Sequence, residues 1–507
     1  RFGADISEKR RRQAISDATS NFALMKSAEL AAALLLALTA PALAVVLPAS
    51  IAQPALRVAP RCALAEKAKT KLTSQHCASI ATFLNDNFEA ELLEWTLAKT
   101  EVGKTSRGKN MFSGGSWKPR RSVVEALDGE KLTLRVDVAV RGKPDEEVVT
   151  ELPFDARAAS LEELQWKLIE LSTALGQHTA TASLLAMPDT FDDYSLPDDM
   201  WLNDTPNQHS VRQMIYGDVT EGLLAAIADE GCSRRMSVWC TPPELNMEMD
   251  SYRVGTLLEL VRELGLALTN QGKKVRICVQ GSMGEGAFSG MPRVLSGVRK
   301  VMTMMDWGDG NKILGPRYTD PDPDNDAEGA VRFGAVGAAE VVDDDDVLLV
   351  LAPQSMVGAS IHEPLSEMAE AAGDRPFVIV NALLQDKMSA AGVMSYRGRG
   401  DRIAFAESFK PVYHFRLLYS GTTFMYPILG ALRMSHAGTF PSDEQPYIVY
   451  SRVTTADGAH ERYLPVDVSQ GEPSPETLTK VVPRVVRKMQ VDKDGNMKFF
   501  GTAGDGR

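Results

Sequence analysis

From residue 209 onward the chain repeats one pattern, short apolar runs separated by helix-length amphipathic stretches, and this constrains the fold more than any other feature. The runs Met236–Cys240, Val275–Val279, Val347–Ala352 and Phe377–Asn381 lack the apolar–polar alternation of a strand with one wet face. Strands apolar at nearly every position are covered on both faces, which is the environment of a parallel sheet between two helical layers. The stretches Val211–Asp229, Ser251–Gln271, residues 291–305 and His362–Ala372 carry apolar residues at helical spacing. Two more strands, Val412–Leu418 and Tyr447–Thr454, follow, and an Asp457-Gly458 turn returns the chain to Tyr463–Val466 as an edge hairpin. Pro475–Val486 reads as a helix behind a Ser474 cap, with proline at its first position. The expected fold class is α/β: a mainly parallel, Rossmann-like sheet with an antiparallel edge hairpin over residues 209–490.

Residues 78–188 read as a small α+β module placed before that sheet. It starts with an amphipathic helix over 78–99, and Thr105–Arg121 reads as a Gly/Ser/Lys-rich loop. Strands Leu132–Val140 and Glu147–Phe154 and a helix Leu161–Leu175 complete it. Residues 189–208, acidic and proline-containing, read as a linker, and 491–507 as a tail with an Asp494-Gly495 turn.

The first 72 residues read as an address. Met25 and Lys26 lead into the apolar run Leu30–Val46, which contains Pro41-Ala42-Leu43-Ala44, a small-x-small cleavage pattern; these are the parts of a signal peptide. Val45–Lys71 is rich in Ala, Pro, Ser, Arg and Lys, with Glu66 its single acid, a transit-like composition. A signal followed by a transit segment is the two-part presequence of an alga whose plastid is reached through the secretory route; simple secretion is the alternative. The mature protein is expected in the plastid stroma or at the thylakoid surface. No later segment reaches the ~18 apolar residues of a spanning helix, so no transmembrane span is expected in the mature protein.

With 44% hydrophobic and 24% charged residues, the chain falls outside the disordered and fibrous classes. Net charge is −12, and the basic excess of the first 72 residues makes the remainder more acidic still. Such a body is repelled by phosphate backbones, which argues against general nucleic-acid binding. The five cysteines form no CxxC pair, so neither a disulfide framework nor a zinc site is expected, and a reducing compartment suits them.

Two stretches could carry chemistry. Gln280-Gly281-Ser282-Met283-Gly284-Glu285-Gly286 follows a strand and leads into a helix, where backbone N–H groups can face an anion. It has neither the Lys of a Walker A loop nor dinucleotide-binding spacing, Glu285 would repel phosphate, and a tight turn explains the glycines equally well. Asn246, Glu248 and Asp250 alternate at the carboxyl end of the first parallel strand, where open α/β sheets form their ligand crevice. They could offer oxygen ligands to a divalent ion, or cap the next helix and face solvent. The acidic runs Asp320–Asp326 and Asp343–Asp346 read as solvated loops. The seven histidines show no HxH or HxxxH spacing, and no GxSxG elbow exists. No catalytic residue, metal ligand or cofactor is assigned. The ligand or docking candidates are Asn246, Glu248, Asp250, Gln280, Gly281, Ser282, Gly284, Glu285, Gly286, Gln354, Arg416 and Arg433.

An ordered set of strings carries a family resemblance. They are Trp201–Pro206, Pro243–Asp250, Val279–Gly290, Met305–Gly308, Ala352–Gln354, Phe415–Tyr419 and Tyr426–Met434. Over roughly residues 200–470 the chain resembles a domain-of-unknown-function family of plants, algae and cyanobacteria. That family includes the low photosystem II accumulation proteins and the C-terminal region of a chloroplast adenylate kinase. The resemblance implies a non-enzymatic plastid accessory protein similar to photosystem II assembly factors, with a core antenna subunit or other assembly factors as partners. It brings no catalytic residues with it. The alternative is a nucleotide- or phosphometabolite-binding domain or enzyme that uses the Gly-rich loop crevice.

Overall fold

The computed structural model describes residues 69–499 apart from 114–116, 141, 187, 189, 203–205, 282–296, 308–329, 356–359, 385–397, 421–426, 435–445 and 492–496. The sheet strands are β4 (Arg235–Thr241), β5 (Lys274–Val279), β6 (Ala330–Ala335), β7 (Val347–Leu351), β8 (Phe377–Val380), β9 (Lys410–Tyr419), β10 (Ile428–Met434), β11 (Tyr447–Thr455), β12 (Glu461–Ser469), β13 (Arg487–Val491) and β14 (Met497–Phe499). Six of them, in the order β9-β4-β8-β7-β5-β6, are parallel throughout. Beyond β9 the sheet turns antiparallel through β10, β11 and β12, and β13 joins β11 with β14 outside it. The α/β class and the edge hairpin stand as expected, with Gly458 at φ +73° in the turn.

Alternate residues of each parallel strand feed two cores. Ile277, Val279, Leu349, Val378 and Val238 face helices α6 (His209–Ala228) and α7 (Val254–Thr269). Cys278, Leu348, Val350 and Ile379 face α9 (His362–Ala372) and α10 (Arg399–Glu407). Helix α7 forms because Leu257, Leu260, Val261, Leu264 and Leu268 make one buried stripe. Its Gly265 lets Trp307 approach so closely that an added Cβ would lie 2.9 Å from the ring. Of the expected helix over 291–305, residues 297–305 are described, and the helix there is α8 (Val298–Met302), which ends before 305. Helix α11 spans Pro475–Val481, shorter than expected, with the Ser474 hydroxyl accepting the Thr477 amide as the cap.

The N-terminal part holds α1 (Ser74–Asn87), α2 (Glu89–Lys99), α3 (Glu101–Ser113), strands β1 (Trp117–Leu127), β2 (Lys131–Val140) and β3 (Glu146–Pro153), and helices α4 (Leu161–Ala174) and α5 (His178–Leu185). The loop expected over Thr105–Arg121 is instead the end of α3 and the start of β1. The basic residues Lys118, Arg120 and Arg121 lie on the wet face of that strand, while Trp117, Ser122 and Val124 are buried. Residues 189–208, polar in composition, bury Phe191, Leu196, Met200 and Leu202. Their backbone runs beside β12: Leu196 N–H donates to Tyr463 O and Asp199 N–H to Glu461 O. Glu66–Arg507 form one compact unit. Among the described residues no helix is long and apolar enough to cross a membrane.

In the acidic run 343–346, Asp343, Asp344 and Asp346 are exposed as expected and Asp345 is not. Asp345 is buried against the fully buried Arg276, with Nε to Oδ2 at 2.5 Å, while Asp344 pairs with Lys274 and Arg332. These charges gather at the amino ends of β5 and β7. The run at 320–326 lies outside the described residues.

Candidate functional site

The connections of the parallel strands make the crevice by leaving in opposite directions. Strand β4 sends its connection through α7 on one face to β5, and its sheet neighbour β8 sends its own through α10 on the other face to β9. Neighbouring strands whose connections leave to opposite faces define a topological switch point, and ligands of open α/β sheets bind there, outside the carboxyl ends. A cavity of about 200 Å³ opens at this place. It is lined by Trp239 and Thr241 of β4, the turn residues Leu245–Glu248, Asn381 and Leu383 after β8, and Arg416, Leu417 and Tyr419 of β9.

Three devices hold the walls. Asn381 stands just past β8 at φ +50°, a conformation Asn tolerates better than most residues. Its Nδ2 donates to Cys240 O at 2.8 Å and its Oδ1 accepts the Cys240 N–H at 2.7 Å, so one side chain continues the ladder between β8 and β4. After β4, Pro242 O accepts the Leu245 and Asn246 amides, and Asn246 Oδ1 accepts the Glu248 N–H at 3.1 Å. This is a local Asx turn. The wholly buried Glu244 anchors that turn to α7, reaching Arg253 at 3.3 Å and accepting the Thr256 hydroxyl at 3.3 Å. Thr241 of β4 donates to Phe415 O of β9 at 3.4 Å, and the Tyr419 hydroxyl of β9 donates to Met249 Sδ at 3.3 Å.

Among the described residues Arg416 is the single Lys, Arg or His in the lining. Its Nη2 donates to Glu472 at 3.1 Å, and its Nε is buried with no hydrogen-bond partner. Two positions back on the same strand, and so on the same face, His414 is buried with Nε2 unpartnered, edge-on to Tyr447 at 5.4 Å. Burial, with the Arg416 charge adding to it, pushes its pKa down to about 3. This imidazole is neutral at ordinary pH.

The candidates from sequence do not form one cluster. Asn246, Glu248 and Arg416 line the cavity, whereas Asp250 is exposed and outside the lining. Gln280 and Gln354 make a second clamp at the ends of β5 and β7: Gln280 Nε2 donates to Gln354 O at 2.9 Å, and its Oε1 accepts the Gln354 N–H at 3.0 Å. Gly281 follows them with open space where a Cβ would go. Between β4 and β5 stand β8 and β7, three strand spacings or roughly 14 Å. Arg433 lies away from the cavity, its guanidinium paired with Asp218 of α6, whose Oδ2 also accepts the Tyr413 hydroxyl at 2.6 Å. Ser282, Gly284, Glu285 and Gly286 lie outside the described residues. Among the described residues no group of three His, Cys, Asp or Glu side chains converges as a metal site. Trp239, Asn381, Leu383, Leu417 and Tyr419 were not singled out from sequence. Their common signal is position, at or just past the carboxyl ends of β4, β8 and β9.

Residues 210–480, from α6 into α11, match the family described as a domain of unknown function, DUF1995. That span includes every residue lining the cavity. No solved structure matches the chain.

Proposed function

We propose, for a chain that belongs to the DUF1995 family, a non-enzymatic accessory role in which the switch-point crevice holds part of a client. The observation that carries this reading is the lining itself. Among its described residues are no Ser, Cys, His or Lys, and both described asparagines have hydrogen bonds to the chain's own backbone. Trp239, Leu245, Leu383, Leu417 and Tyr419 offer contact area, so the cavity is suited to holding a group. The resemblance to photosystem II accumulation proteins and the two-part address point to a plastid, with a core antenna subunit or another assembly factor as client at the stromal face of thylakoids. The rival, a nucleotide or phosphometabolite site at the Gly-rich loop, draws less support: neither Gln280 nor Gly281, the described start of that loop, is among the described residues lining the crevice.

The test is affinity purification from native plastids with wild-type protein and with Leu383→Asp, each with and without ATP. Photosystem II core antenna subunits are expected with the wild type and depleted at least fivefold by the variant. Eluates without photosystem subunits, or ones changed only by ATP, would sink this reading. N-terminal sequencing of the native protein checks the location, with the mature start expected between Arg61 and Ala78. An intact Met25 terminus would remove the plastid argument.

A further inference from the structure

We infer that the crevice takes a carboxylate carried on a small apolar body, read by Arg416. The inference rests on the crevice being a binding site and does not depend on which client is held. Three observations converge on it. Trp239, Leu245, Leu383 and Leu417 give the cavity apolar walls, and its volume of about 200 Å³ lies below the roughly 300–1,000 Å³ of pockets for drug-sized ligands. The occupant is therefore about the size of one side chain with its polar end. Arg416 supplies the cation of the described lining, and one guanidinium in a wall that also carries Glu248 is a poor match for a polyphosphate.

The third observation is how Arg416 is used. A guanidinium presents five donors in a planar fork, and a carboxylate engages two of them at once. Glu472 makes a single contact with Nη2 at 3.1 Å and is half-exposed, leaving Nε buried with no partner. A buried unpaired donor is costly, whereas an exposed single-contact ion pair contributes little and is readily exchanged. An incoming carboxylate that displaces Glu472 completes the fork while its apolar body fills the space beside Trp239. The hydrogen bonds of Asn246 and Asn381 fix the walls around it.

A carboxylate on an apolar body has two sources, a free monocarboxylic acid or the C-terminal residue of a polypeptide. Calorimetric titration of the whole chain separates them. One pair of probes is hexanoate and hexanamide; the other is acetyl-Ala-Ala-Leu with a free and with an amidated C-terminus. In at least one pair the acid is expected to bind at least about tenfold more tightly than its amide, and the pair that responds identifies the source. Arg416→Met should erase the acid preference. Glu472→Gln, an exposed change that leaves the fold untouched, should tighten the acid about threefold by removing its competitor. Equal binding of acid and amide, a preference that survives Arg416→Met, tighter binding of ATP or inorganic phosphate, or no binding of either pair would each overturn the inference. Failure here leaves client co-purification to be judged on its own, because that assay does not require a carboxylate.

Discussion

The two halves of the sheet are fastened by different chemistry. At the carboxyl ends of the parallel strands the polar side chains that join neighbours are neutral amides, Asn381 onto Cys240 and Gln280 onto Gln354. The antiparallel half relies on ion pairs made by arginines of its strands. Arg433 pairs with Asp218, and Arg452 gives Nε and Nη2 to the fully buried Glu461, each at 2.7 Å. Glu461 also accepts the Leu202 amide at 3.2 Å, so one carboxylate ties the chain before α6 to the sheet edge. The ions of the parallel half sit at the other end, around Arg276 and Asp345. The crevice end carries Arg416 with its partner Glu472, Glu248 in the lining and the Glu244–Arg253 pair behind the turn, so among the described lining residues an entering anion meets one guanidinium.

Glu461→Ala is expected to produce the largest effect. It strands Arg452 in the sheet and frees the Leu202 amide, and breaking a buried pair costs about 3–5 kcal/mol. Urea unfolding measures it, and a loss below ~1 kcal/mol would mean that the antiparallel half is not fastened by charge. Replacing both partners, Arg452→Met with Glu461→Leu, should recover much of the loss.

Next comes a pH effect of opposite sign in the two regions. The folded His414 pKa, about 3, is below the unfolded 6.5, so the unfolded chain binds the extra proton. Its contribution is complete above pH 6.5 and is lost as pH falls towards 3, about 2 kcal/mol of it by pH 5. His414→Phe should flatten that part of the stability profile, and an unchanged slope would show that the imidazole is hydrated. His460 is exposed beside Asp199, whose hydrogen bond raises its pKa. Its smaller contribution is present below pH 6.5 and is lost as pH rises through the folded value, so His460→Gln should lower stability on the acidic side and leave the alkaline side unchanged.

Asn381→Asp tests the neutral clamp. It keeps an acceptor for the Cys240 amide but loses the donor to Cys240 O, at a cost of about 1–3 kcal/mol. Faster hydrogen exchange at Cys240 should accompany it, and protection equal to wild type would dissolve the contrast between the halves. The smallest effect belongs to Gly281→Ala, within about 0.5 kcal/mol, because a Cβ there meets nothing within 4 Å. A loss of several kcal/mol on thermal unfolding would make the loop's glycines structural after all. Gly430 of β10 is the internal control, since its Cβ would lie 2.0 Å from Tyr450 O.

How much of this could be read in the chain depended on how each strand meets water. Strands β5, β7 and β8 are buried on both faces, so their apolar runs marked them nearly to the residue. β1 was hidden because its wet face carries Lys118, Arg120 and Arg121 beside a proline, which reads as a loop. β6 was hidden by Arg332 and Gly334, a charge held by Asp344 and a glycine whose Cβ would lie 2.9 Å from Glu340. Asn246, Glu248 and Arg416 were legible because their strings stand at strand ends. Asn381 and Leu383 were not, because knowing that β8 lies beside β4 requires the sheet order, and that order is not local. Arg433 shows the same limit: only the register of β10 on β9 puts it on the α6 face with Tyr413.

The two amide clamps have a consequence for the thermodynamics of occupancy. Strand ends normally fray, and a site built on fraying ends must give up conformational entropy each time it is filled. Here the last rungs are closed by Asn381 and Gln280 before anything arrives, so most of the ordering cost falls on the occupant. Such a site favours occupants that are already stiff, and a flexible acid should bind more weakly than a ring-constrained one of equal apolar area.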